Sequence, residues 1–115
     1  MKYTGGCHCG NTKYEVEANL DSVIVCNCSH CQMKGMMLAF VPETSFKLLT
    51  DKSTLTTYHF NKKVIDHLFC SKCGVQSFGM GKDKDGNGTV AVNVRCLDGV
   101  DIDTLNIKKV DGKSW

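Results

Sequence analysis

A mainly β, single small domain pinned by metal knuckles is the fold class that three features of the sequence predict. Short runs of alternating apolar and polar residues recur along the chain, no stretch carries a long helical period, and most of the 8 cysteines stand in close pairs. At 115 residues there is room for one hydrophobic core, so residues 1–115 read as one domain without a linker or internal repeat.

Taken in order, Thr12 to Glu17 alternates with Tyr14 and Val16 inward, and Ser22 to Cys26 is a short apolar strand running into a cysteine cluster. Met36 to Val41 and Phe46 to Leu49 lie on either side of Pro42, which is expected to open a turn. Thr54 to Phe60 and Val64 to Phe69 form a predicted hairpin around Asn61-Lys62-Lys63, its second strand delivering Cys70. Val75 to Met80 and Thr89 to Cys96 are the next predicted strands. In the latter, Val90, Val92, Val94 and Cys96 share one face, with Asn93 and Arg95 on the other. Leu97 to Leu105 has the makings of one helical turn capped by Asp98 or Asp101, and the tail from Lys108 is expected to be loose apart from packing by Trp115.

Composition excludes several classes. Hydrophobic residues make up 42% and charged residues 23%, with one Pro, which is a globular and not a disordered balance. No apolar run approaches the about 18 residues of a membrane span, and the opening Met1-Lys-Tyr-Thr-Gly-Gly-Cys-His lacks the apolar stretch of a signal peptide. A soluble, cytoplasmic chain is expected. The formal charge is +2 and Arg95 is the sole arginine, so nucleic acid is not an expected partner. Two zinc ions held by seven thiolates would turn that balance slightly acidic.

The cysteines carry the chemistry. They fall into Cys7-His8-Cys9, Cys26-Asn27-Cys28-Ser29-His30-Cys31 and Cys70-Ser71-Lys72-Cys73-Gly74, with Cys96 alone. Disulfide staples would be spaced to close longer loops, whereas a Cys-x₂-Cys turn sets two sulfurs on one zinc without distorting the backbone. Spacing does not say which clusters combine, and two four-cysteine sites would use all eight thiols. Alternation makes Cys96 a core thiol, which leaves seven to divide as four plus three. Four sulfurs close a zinc site; three leave a corner open, as catalytic zinc requires.

Asp83-Lys-Asp85-Gly-Asn87-Gly88 imitates the start of an EF-hand loop. Its twelfth position is Val94 where a bidentate Glu is needed, and its flanks read as strands, so an Asp- and Gly-rich turn is the better reading.

Gly5-Gly-Cys7-His-Cys9-Gly10, Cys26-Asn-Cys28-Ser-His-Cys31 and Phe69-Cys70-Ser-Lys-Cys73-Gly74-Val75-Gln-Ser-Phe78 resemble the glutathione-dependent formaldehyde-activating family over almost the whole chain. Val92-Asn-Val-Arg-Cys96-Leu-Asp98 resembles its branch that includes centromere protein V. The resemblance implies an Mss4-like fold of packed antiparallel sheets with two zinc ions. It places Cys7, Cys9, Cys70 and Cys73 around a structural ion and Cys26, Cys28 and Cys31 around an open, catalytic one. It further implies glutathione as thiol cosubstrate, a small aldehyde as its partner, S-hydroxymethylglutathione as product, and a carbon–sulfur lyase class.

A zinc with three thiolates is a weak Lewis acid toward a carbonyl but suits a thiol, whose pKa it lowers from about 8.5. Among possible glutathione contacts, Arg95 offers a bidentate fork for a carboxylate, as do Lys62 and Lys63 more loosely; solvated surface charge is the competing reading for each. His67 shares a face with Ile65 and Phe69 and is either a proton carrier or a packed histidine. His8 and His30 lie inside clusters already supplied with thiolates. The rival functions are a non-catalytic glutathione-binding carrier and a protein-interaction domain.

Overall fold

The computed structural model describes residues 1–59, 65–83 and 85–111. Lys62, Lys63 and Trp115, together with the predicted tip of the hairpin, lie outside the described residues. The first strand, β1 (Lys2–Gly6), pairs antiparallel with β2 (Lys13–Glu17), which also pairs antiparallel with a short strand at Phe46–Leu48, β5 below. This makes a three-stranded sheet. β3 (Val23–Cys26) leads to helix α1 (Ser29–Lys34), then β4 (Leu38–Pro42) and β5 (Phe46–Leu48). β6 (Leu55–Tyr58), β7 (Asp66–Cys70), β8 (Phe78–Lys82), β9 (Gly88–Asn93) and β10 (Ile107–Val110) are the further strands among the described residues. The second sheet has seven strands in the order β10-β3-β4-β9-β8-β7-β6. Among the described residues, no helix is long and apolar enough to cross a membrane.

The two sheets share one core, because period-2 alternation delivers apolar side chains to one face of each. Tyr14 and Val16 of β2 pack with Leu68, Phe78, Val90 and Val92 of the larger sheet. Tyr14, Phe46 and Phe78 form an aromatic triangle with centroids 4.9, 5.7 and 4.7 Å apart. The Tyr14 hydroxyl donates to the Ser77 carbonyl at 3.1 Å, so its polar end is satisfied inside the core. Packed sheets with cysteine knuckles at their ends are the architecture that the resemblance implies.

Several expectations hold with small shifts. β6 and β7 form the hairpin, with Leu55 opposite Cys70 and Tyr58 opposite His67. Pro42 closes β4 and precedes a 3₁₀ turn at Glu43–Ser45. Asp101, not Asp98, caps the turn at Ile102–Thr104 through the Asp103 N–H, 3.0 Å. The imitation calcium loop folds on itself: Asp83 Oδ1 accepts the N–H groups of Asp85 and Asn87 at 2.9 Å each, and Gly86 takes φ 83°.

Other expectations are corrected. The strand ending at Cys96 stops at Asn93, and Val94–Cys96 is a 3₁₀ turn. Asn93 causes the bend: its Oδ1 accepts the Arg95 N–H at 3.2 Å while its Nδ2 donates to the Gln76 carbonyl at 3.0 Å. Val94 still reaches the core, but Cys96 is only partly buried. The tail is not loose at its start, for β10 pairs in parallel with β3, Val110 beside Cys26. The larger sheet is therefore mixed. α1 was not foreseen, since a helix of 6 residues is too short to show a period.

β1 was missed for a different reason. Its Gly5-Gly6 is poor strand material by propensity, but the fold requires both residues. A Cβ on Gly5 would lie 2.8 Å from the Cys96 carbonyl oxygen and 2.9 Å from the Tyr14 ring; one on Gly6 would strike the Thr12 carbonyl. That carbonyl accepts the Cys7 N–H at 3.1 Å and shapes the first knuckle. Gly6→Ala is therefore expected to cost about 1–3 kcal/mol as an overpacked contact, read as a lower thermal midpoint. An unchanged midpoint would contradict this close approach.

Candidate metal centre

Three strand ends supply the sulfur. β1 runs into Cys7, β3 ends on Cys26 and β7 ends on Cys70, so rigid pairing fixes the first thiol of each cluster. The rest follow through tight turns. At the Cys70 knuckle, Gly74 takes φ 79° and donates to the Cys70 carbonyl at 2.9 Å, while the N–H groups of Lys72 and Cys73 point at Cys70 Sγ, 3.4 and 3.5 Å away. At the first knuckle, Thr12 N–H donates to Cys7 Sγ at 3.2 Å.

Hairpin and N-terminal knuckle meet. The sulfurs of Cys7, Cys9, Cys70 and Cys73 all lie within 4.8 Å of one another, with Cys7 to Cys9 at 3.6 Å and Cys9 to Cys70 at 3.5 Å. Sulfurs bound tetrahedrally to zinc at about 2.3 Å stand about 3.8 Å apart, so this spacing fits the ion. The electrostatics fit as well. Burial works against a Cys7 thiolate, but the Thr12 N–H and neighbouring thiols outweigh it and bring Cys7 down to about 6. At Cys9 the Asn11 N–H favours the thiolate, yet burial and the sulfurs of Cys70, Cys7 and Cys73 push it up to about 11. One charge forms readily and its neighbours resist the next, a conflict that a divalent cation removes.

Cys26, Cys28 and Cys31 form the second cluster, again with sulfurs within 4.8 Å. α1 organises it. Cys28 occupies the N-cap, its sulfur accepting the Cys31 N–H at 3.4 Å, and Cys26 Sγ accepts the Cys28 N–H at 3.5 Å. Gly35 closes the helix with φ 65°. Burial disfavours a Cys28 thiolate, but N–H groups of Cys31 and His30 and the adjacent thiols lower its pKa; burial, then Cys28 and Cys26, push Cys31 up to about 12. The same conflict between neighbouring thiols is present here with one sulfur fewer.

Cys96 belongs to neither group. Its sulfur lies 3.9 Å from the Gln76 carbonyl oxygen, and burial pushes its thiol up to about 11. Among the described residues, both clusters consist of cysteine alone. His8 is exposed, while His30 turns into an aromatic group, its ring 4.2 Å from His67 and stacked on Tyr58 at 5.8 Å.

A cavity of about 560 Å³ opens beside the three-cysteine cluster, with Cys26 and Cys31 in its wall. Val25, Met36 and Met37 make an apolar side, and Arg95, Lys109 and Asp111 bring charge to it. Arg95 thus reaches the site region, and it also borders a smaller hollow of about 320 Å³ beside Cys7 and Cys96. His67 does not line the cavity. It is buried on β7 against His30, and burial, followed by the nearby His30 and Lys34, lowers its pKa to about 4, so its ring is neutral at pH 7. Lys109 and Asp111 escaped sequence reasoning because nothing in a Lys-rich tail signals that it lies beside Cys26.

Helix and hairpin knuckle are tied together by Lys34, the last residue of α1. Its ammonium donates to Gln76 Oε1 at 2.8 Å and stands 5.0 Å from the centre of the Phe69 ring. Gln76 follows the Cys73 turn, so the two clusters share a fixed frame.

A family model described as glutathione-dependent formaldehyde-activating enzyme matches residues 2–109. The fold is also similar to that of a crystal structure of a Rhodobacter sphaeroides protein, with a TM-score of 0.82 and 27% identity. That alignment covers 93% of this chain and 99% of the other.

Proposed function

The chain belongs to the glutathione-dependent formaldehyde-activating enzyme family, and on that premise we propose that it joins the sulfur of glutathione, or a related thiol, to formaldehyde or a similar small carbonyl. Cys26, Cys28 and Cys31 hold the reacting site's zinc in this proposal, and Cys7, Cys9, Cys70 and Cys73 hold a second, structural zinc. The observation that carries it is the three-sulfur cluster whose members Cys26 and Cys31 face a cavity large enough for a small peptide. Four sulfurs complete a tetrahedron, whereas three leave a position for a ligand.

A zinc held by Cys26, Cys28 and Cys31 would supply a soft site at which a thiol's pKa is lowered toward neutrality. The protein's own groups do the rest. N–H bonds to Cys26 and Cys28 hold those sulfurs on the first turn of α1 and the end of β3. Val25, Met36 and Met37 give the cavity an apolar side against which the uncharged part of a ligand can pack. Arg95 offers a carboxylate its guanidinium fork, and His67, buried on β7, packs its ring 4.2 Å from that of His30. Over the whole reaction a carbon–sulfur bond forms as the carbonyl π bond opens, and the thiol proton ends on the new hydroxyl. The reverse reaction is a carbon–sulfur lyase step.

Thiols add to formaldehyde without assistance, so rate and binding must be separated. Exchange between free formaldehyde and its glutathione adduct, followed by magnetisation transfer, is expected to accelerate when zinc-loaded protein is added. Binding of glutathione without acceleration at stoichiometric protein would reassign the chain as a carrier.

A further inference from the structure

We propose that Gln76 couples the two cysteine clusters: it holds α1 against the knuckle of the four-cysteine cluster, so that Cys26, Cys28 and Cys31 take their ion at full affinity only once Cys7, Cys9, Cys70 and Cys73 are filled. The inference rests on the division of the seven thiols between two ions and is independent of which thiol or carbonyl reacts.

α1 cannot hold its own shape. A helix of 6 residues is far below the length that is stable alone in water, and none of its residues is buried. Yet it carries Cys31 and is capped by Cys28, so its position sets two of the three sulfurs. The ring and ammonium contacts that hold it come from the hairpin and its knuckle. His30 packs its ring 4.2 Å from His67 and stacks on Tyr58, and the Lys34 ammonium stands 5.0 Å from the centre of the Phe69 ring. His67 and Phe69 share a face of β7, the strand that ends on Cys70. Lys34 also donates to Gln76 Oε1 at 2.8 Å, and Gln76 follows Val75, whose carbonyl accepts the Cys70 N–H at 3.0 Å.

Gln76 also grips the chain that leaves α1. Its carbonyl accepts Asn93 Nδ2 at 3.0 Å, Asn93 Nδ2 lies 3.6 Å from Met36 Sδ, and the Val94 N–H donates to the Met37 carbonyl at 2.8 Å. Gln76 and Asn93 are both buried, where a lost hydrogen-bond partner costs more than at the surface. With the four-cysteine cluster filled, the turn from Cys70 to Gln76 is fixed and α1 arrives ordered. Without that ion, a metal at the second cluster must order the helix itself, and its affinity falls accordingly. Linkage makes the effect mutual, so an ion at the second cluster tightens the first by the same factor.

The test uses the zinc-loaded full chain under reducing conditions and withdraws the metal stepwise with a chromophoric chelator, whose absorbance reads the affinity of each step. Two steps are expected, the weaker belonging to Cys26, Cys28 and Cys31 and absent in Cys28→Ser. Lys34→Met and Gln76→Met are each expected to weaken that step about tenfold, the loss of one charge-assisted bond, and to leave the tighter step unchanged. Lys34→Arg keeps a donor for Gln76 and should hold the wild-type value, and the double variant should be no weaker than either single one, because the two side chains share one contact. Lys34 is exposed, so Lys34→Met carries the test if Gln76→Met does not fold. A weaker step unchanged in Lys34→Met, with both ions bound, would overturn the coupling and leave the two-ion division standing. Equal weakening of both steps would overturn the coupling too, since a general loss of stability produces it. A single release step in the wild type, or loss of the tighter step in Cys28→Ser, would overturn the division itself and this inference with it.

Discussion

Cys70→Ser is expected to abolish cooperative folding. Cys70 is 1% exposed, ends the central arm of the hairpin, receives the Lys72 and Cys73 N–H groups on its sulfur and lies 3.5 Å from Cys9. Its loss removes a ligand from the cluster that ties the N-terminal knuckle to the hairpin, and these are joined across more than half of the chain. A structural zinc contributes about 10 kcal/mol of folding free energy, comparable with the about 5–15 kcal/mol total of a small domain. Loss of a sharp thermal transition in circular dichroism, together with loss of bound zinc, is the expected result. A folded Cys70→Ser protein that keeps its full metal content would sink the structural assignment of this cluster.

Cys28→Ser should behave in the opposite way. Serine is among the best N-cap residues, so its oxygen can replace the sulfur in accepting the Cys31 N–H, and α1 survives. What disappears is one of three metal-facing thiols. Two remaining sulfurs and a hydroxyl hold zinc poorly, so zinc content is expected to fall from two per chain to one. The dichroism spectrum should be retained, and formaldehyde–glutathione exchange should return to the rate without protein. Mass spectrometry under native conditions reads the stoichiometry directly. Equal damage to fold and metal content from Cys28→Ser and Cys70→Ser would contradict the division of the seven thiols into a structural and a reacting site.

The three cysteine clusters themselves were legible in local spacing. Cys-x-Cys and Cys-x₂-Cys bring sulfurs together within a turn, and the alternation through Tyr14, Val16, Val90 and Val92 marks faces that must be buried. Both signals extend over a few residues and so survive in the linear sequence. β1 was hidden because its glycines are chosen for a close approach to Thr12 and Tyr14 across the β1–β2 pair and to the distant Cys96, contacts that leave no alternation along the strand itself. The bend after Asn93 was hidden because it depends on Gln76 and Met37, whose carbonyls accept from Asn93 Nδ2 and from the Val94 N–H at 3.0 and 2.8 Å.

The cysteine clusters that could hold a metal and the β character of the chain are thus properties of short sequence patterns, because a knuckle closes and a strand alternates over neighbouring residues. Only tertiary pairing decides that the first and third cysteine clusters converge, and that β10 lies beside β3 so that Lys109, Asp111 and Arg95 border the cavity at Cys26 and Cys31. The reason is that parallel pairing and contact between strand ends are chosen by the burial of a shared core, and no residue's immediate neighbours encode where that core will bring it.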